Sequence, residues 1–212
     1  MTDQTKLQEG IVRIQEQRGR IIGVLQTLTQ AQADFQPAAG AWSIGQIGQH
    51  LALVERGLME IVRDMFDRSG PRQVLKVEYD RLPLTLKGVP RGVARFGFQM
   101  IRPFSFLARF TPQALISFVI ANPIVKATAA PQTEPAPGKK TAEVLTLLSE
   151  VRQETLRLLE RAKERELSQY HWLHPVLGYQ DLYGTLELIA SHDQRHLQQI
   201  ERVRKDARFP AA

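Results

Sequence analysis

Apolar residues recur at three- and four-residue spacing in four separate stretches of the chain, and each stretch predicts an amphipathic helix. In the first, residues 4–33, Leu7, Ile11, Ile14, Ile21, Leu25 and Leu28 mark one face, and Arg13, Glu16, Arg20 and Gln26 cover the other. The segment Gln36-Pro37-Ala38-Ala39-Gly40 breaks that helix. In the second, Ser43 and Gln46 have the spacing of a capping box, and Trp42 and Ile47 that of a hydrophobic staple. Its stripe continues through Leu51, Val54, Leu58, Ile61 and Met65 to a stop at Ser69-Gly70-Pro71. The third runs from Thr141, read as its N-cap, to about Glu166, and buries Val144, Leu147, Leu148, Val151, Leu158 and Leu159. The fourth is capped by Asp181, ends near Lys205, and carries Leu182, Leu186, Ile189, Ile200 and Val203.

Between the second and third helices the pattern degrades. From Arg72 to Lys140, Pro83, Pro90, Pro103, Pro112 and Pro123 cut the chain into pieces too short for a bundle helix. Residues 92–100 and 113–120 could each form a few turns, and residues 127–140 read as a linker of polyproline character. The prediction is an all-α four-helix bundle in one domain, residues 1–212, with 72–140 as a crossover excursion. A crossover of that length allows the second and third helices to run parallel.

Histidines interrupt two of the stripes. In the fourth helix, His192 and His196 occupy the gap between Ile189 and Ile200. Residues four apart lie about 40° from one another around a helix, so both imidazoles can reach one point. Such a pair is either a set of satisfied core groups or two ligands of a metal that needs a third. His50, three residues after Ile47 and four before Val54, points its helix's ring toward the same core. Three neutral imidazoles would leave an ion's charge unquenched and some of its positions open, as in a catalytic site. The His192-Asp193-Gln194-Arg195-His196 segment lacks the Glu of a zinc-protease helix, so the pair encodes no general base. Glu55, Glu187 and Asp193 are the nearest acids by helical position, each read as a solvated helix charge or a partner behind a ligand. His171 and His174 stand in a turn-rich connection and are assigned loop or capping roles, and Trp172 a core plug.

Composition narrows the chemistry. There is no cysteine among the 212 residues, which excludes disulfides, thiolate metal sites and a cysteine nucleophile, and fits a cytoplasmic setting. The longest apolar run, residues 114–121, is far short of the ~20 residues of a membrane span, and no secretory signal is expected. The formal charge of +6 is concentrated: residues 81–133 hold seven Lys or Arg, no Asp or Glu, and six of the nine Phe. That segment reads as a cover over one end of the bundle, a pocket wall for an anionic substrate, or a surface for anionic lipid or nucleic acid. No recognised nucleic-acid motif accompanies it, so no nucleic-acid partner is expected.

Two segments carry a family resemblance. Residues 42–51, Trp42-Ser43-Ile44-Gly45-Gln46-Ile47-Gly48-Gln49-His50-Leu51, resemble the signature that opens the second helix in the DinB-like superfamily. His174-Pro175-Val176-Leu177-Gly178 followed by residues 191–200 resembles its C-terminal signature. The resemblance implies an up-down-down-up four-helix bundle and a divalent ion (zinc, nickel or iron) held by His50, His192 and His196. It also implies a homodimer and a metal-dependent hydrolase or a transferase using a low-molecular-weight thiol such as mycothiol or bacillithiol. The substrate is left open, and the rival reading is a non-enzymatic scaffold or basic-surface binder with a vestigial site.

Overall fold

The computed structural model describes residues 3–77, 81–82, 84–86, 127–174 and 178–211. The two short helical pieces expected within 92–120, and the Phe-rich cluster with them, lie outside the described residues. Among the described residues, five α-helices carry the fold: α1 (Asp3–Gln26), α2 (Gln30–Asp34), α3 (Ile44–Arg68), α4 (Thr141–Ala162) and α5 (Leu182–Arg204). The first predicted helix is therefore two. Thr29 starts the second piece with a capping box of its own, its hydroxyl accepting from Gln32 N and Gln32 Oε1 accepting from Thr29 N. Thr141 is the first residue of α4 and Lys140 its N-cap, where Glu143 accepts from the Lys140 N–H at 3.0 Å. The end of α4 falls at Ala162, short of Glu166. Asp181 caps α5 as expected, accepting from Gly184 N at 2.7 Å.

The fold is mostly helical but not purely so. Strands β1 (Val74–Lys76), β4 (His171–His174) and β5 (Gly178–Gln180) form a small sheet, β1 parallel and β5 antiparallel to β4. Strands β2 (Leu84–Leu86) and β3 (Ala127–Ala129) pair antiparallel, Leu84 opposite Ala129. The connection read as turns around His171 is thus a strand, because the backbone groups of His171–Leu173 find partners on β1. β4 drives Trp172, fully buried, into the core, where its Nε1–H donates to Thr185 Oγ1 at 2.9 Å. The linker assigned to 127–140 begins with β3 and a 3₁₀ turn, Pro131–Thr133, rather than with extended polyproline.

Helix α1 packs chiefly on α5, and α3 on α4, with lesser α3–α5, α1–α4 and α1–α3 contacts. Gly48 permits the close α3–α4 approach: a β-carbon there would stand 2.9 Å from Val144 Cγ1. The buried apolar residues fall into two clusters. One holds Leu7, Ile14, Leu58, Met65, Leu159, Trp172 and Leu186, and the other Ile21, Leu25, Ile47, Leu51, Leu148, Leu197 and Ile200. Along α1 and α5 the chain meets the first cluster and then the second, and along α3 and α4 the order is reversed. Between the clusters, each long helix contributes one buried charge: Arg18, Glu55, Arg152 and Asp193.

Candidate metal centre

The start of α3 determines where His50 points. Ser43 Oγ accepts from Gln46 N at 3.2 Å and Gln46 Oε1 accepts from Ser43 N at 3.0 Å, which fixes the helix's phase two turns before the histidine. Across the core, α5 presents His192 and His196 one turn apart. All three rings are buried, and one nitrogen from each lies within 4.8 Å of those from the other two. His192 Nε2 and His196 Nε2 are 3.2 Å apart. Two nitrogens bound to one tetrahedral ion at about 2.05 Å would stand about 3.3 Å apart, so this spacing suits a shared ion.

The outer nitrogens are already occupied. His50 Nδ1–H donates to the Thr133 carbonyl at 2.8 Å, and His196 Nδ1–H donates to Gln199 Oε1 at 2.8 Å. In these tautomers Nε2 of both rings is unprotonated, the form in which an imidazole can bind a metal. Burial keeps the rings neutral as well. It lowers His50 to about 4, with the Thr133 bond pulling the other way, and His196 to about 3, the latter aided by His50 nearby. His192, enclosed and beside the other two rings, lies well below its ordinary value.

Trp42, expected as a staple on Ile47, packs on the cluster that contains Ile47 and also lies over two of the imidazoles. Its ring centroid is 4.7 Å from that of His50 and 6.4 Å from that of His196. Half-buried, it forms one wall of the site.

Two of the three acids behave differently from solvated helix charges. Glu55 and Asp193 are completely buried and held by arginines. Arg152 Nε and Nη2 donate to Glu55 at 2.9 and 3.0 Å, Thr155 Oγ1 donates at 2.7 Å, and Arg18 Nη2 lies 2.9 Å from Glu55 Oε2. Arg18 Nε and Nη2 grip Asp193 at 2.9 and 3.0 Å. Burial alone would raise the Glu55 carboxyl, but Arg18 and Arg152 together hold it below its ordinary value. Glu187 pairs with Arg13 at 2.5 Å and accepts from Ser191. Glu55 and Asp193 are thus committed to the buried arginines, whereas Glu187 is a partly exposed helix charge. Arg18, Arg152, Thr155, Gln199 and the Thr133 carbonyl had not been singled out from the sequence. A signal existed for the arginines: Arg18 stands four residues after Ile14 and three before Ile21, and Arg152 four after Leu148, where apolar residues are due.

The model of one known family matches residues 13–200, nearly the whole described bundle. The chain belongs to the DinB superfamily. No curated protein and no solved structure matches it. Within this DinB-superfamily chain, a buried three-histidine cluster compatible with metal binding is what sequence and structure share. His171 and His174 do not join that cluster among the described residues: His171 opens β4 half-buried, and His174 closes it buried, 5.5 Å from the Trp172 ring.

His174 supplies a test of burial. Enclosure lowers it from 6.5 to about 3, so between those values the unfolded chain binds a proton that the folded chain does not. The stability tied to its neutral burial is fully present above the ordinary value and is lost as pH falls toward the folded one. In urea titrations between pH 4 and 6, the wild type should lose stability more steeply than His174→Phe, by about 1.4 kcal/mol per pH unit. Equal slopes would show that His174 is protonated in the folded state.

Proposed function

We propose that this chain binds one divalent ion, zinc, nickel or iron, through His50, His192 and His196, and acts as a metal-dependent enzyme of thiol-transferase or hydrolase type. The observation that carries the reading is the donor geometry: two Nε2 atoms 3.2 Å apart in a buried cluster. The Nδ1 nitrogens of His50 and His196 are spent on Thr133 and Gln199, so neither turns a proton inward. A bound ion would supply Lewis acidity, bringing the pKa of a coordinated water or thiol toward neutrality. The protein's own part is to keep three imidazoles neutral, to orient two of them from behind, and to shield the site with Trp42. With Glu55 and Asp193 both held by buried arginines, activation rests on the ion rather than on either of these carboxylates.

The same reading includes an up-down-down-up bundle. Its support is the order of the two core clusters, met in one sense along α1 and α5 and in the other along α3 and α4. An anionic small-molecule substrate is favoured by the acid-free run of seven cations between residues 81 and 133. A homodimer is the part of the proposal that rests on family membership, and a cytoplasmic setting rests on the absence of cysteine. Among the described residues, no helix is long and apolar enough to cross a membrane.

The test is the metal content of protein purified without a polyhistidine tag, measured by plasma emission. About one ion per chain is the expected result, with its removal by a strong chelator leaving a folded apo-protein. Protein that stays metal-free after equilibration with zinc, nickel and ferrous iron would end the metalloenzyme reading and leave a scaffold.

A further inference from the structure

The four charges between the two apolar clusters form a closed set. Two arginines face two carboxylates, with one residue from each of α1, α3, α4 and α5. Arg18 is the link to the metal cluster. It grips Asp193, the residue that follows His192, and its Nη2 also lies 3.5 Å from the carbonyl of Leu51, the residue that follows His50. One guanidinium on α1 therefore touches both histidine-bearing helices, each time one residue beyond a candidate ligand.

Physical chemistry says what such a set is good for. Burying ions costs desolvation that their mutual attraction barely offsets, so well-packed apolar residues of similar volume often give equal or greater stability. A two-point guanidinium–carboxylate bond, unlike an apolar contact, is directional. A rotation of α5 about its axis would break the Arg18–Asp193 fork and would swing His192 and His196 away from His50. Apolar packing of Leu197 or Ile189 tolerates such a rotation far better.

We infer that Arg18 and Asp193 are positioning residues, which set the rotation of α5 against α3 and so preset the three imidazoles for one ion. This inference rests on the proposed metal site. Its test is the double variant Arg18→Met/Asp193→Leu, which removes one charge of each sign and leaves the Arg152–Glu55 fork in place. Co²⁺ is the probe, titrated into chelator-treated protein shown to be folded by circular dichroism. The expected result is an apo melting temperature equal to the wild type's or higher, with Co²⁺ affinity lowered tenfold or more and altered visible absorption bands. A merely structural pair would move the melting temperature and leave affinity and spectrum alone. Wild-type affinity and spectrum in the folded double variant would overturn the inference while leaving the metal site standing. Failure of the wild type itself to bind Co²⁺ would remove both. Should the double variant not fold, Arg18→Lys keeps the charge but loses the fork. A several-fold loss of Co²⁺ affinity there supports the inference, and unchanged affinity overturns it.

Discussion

His196→Ala is expected to abolish tight metal binding while leaving the apo-protein folded. In the wild type, an ion present at about a hundred times its dissociation constant should stabilise the fold by about 2.7 kcal/mol. For a chain of this size that corresponds to a rise in melting temperature of roughly 5–10 °C. Removing His196 takes away one of the two Nε2 atoms that stand 3.2 Å apart, and with it the partner of Gln199. Two imidazoles cannot hold an ion against water as three do, so the affinity should fall at least a hundredfold, beyond the ~10- to 100-fold cost of losing an outer partner. The signature is a melting temperature that responds to metal in the wild type and not in the variant, with the two proteins melting alike in chelator. A variant that keeps a tightly bound ion would remove His196 from the ligand set.

The second large effect belongs to Glu55. It is fully buried and accepts from Arg152 and Thr155, with Arg18 in ion-pair contact. Glu55→Ala would leave two buried guanidiniums facing Asp193 alone. Removing one partner from a buried ionic set typically costs 3–5 kcal/mol, because the remaining charge is uncompensated. We expect the urea midpoint to fall accordingly at neutral pH with the denaturant slope unchanged. The pH dependence follows from the sign of the shift. Glu55 lies below its ordinary value, so its contribution is present above the unfolded carboxyl's pKa of 4.5 and is lost as pH falls through the lower folded value. A loss under 1 kcal/mol would mean that Arg152 and Arg18 reach water when Glu55 is gone.

What could be read from the chain follows from the reach of each signal. Helical periodicity placed the four long helices because their apolar stripes repeat over many turns, and the Ser43–Gln46 box marked the start of α3 to the residue. His50, His192 and His196 stood out because they sit where apolar residues were due. Arg18, Glu55 and Arg152 sit in equivalent gaps, yet an isolated charge on a helix usually reaches solvent, and only the packing of four helices reveals that these meet. The strands were missed for a different reason. His171–His174 is four residues long, and its partner β1 lies almost 100 positions earlier, so no local pattern encodes the pairing. The Thr133 carbonyl left no side-chain signal at all, since any residue could offer the same oxygen.

That carbonyl has a consequence for the crossover. Thr133 stands 83 positions after His50 and still meets its ring, because the chain is gathered first by the β2–β3 pairing and then by the 3₁₀ turn. Leu86 and Ala127, 41 positions apart, stand opposite one another in that pairing. The β2–β3 pairing is in that sense an anchor at a distance: what it fixes on the crossover side is the carbonyl that holds the tautomer of His50 on α3.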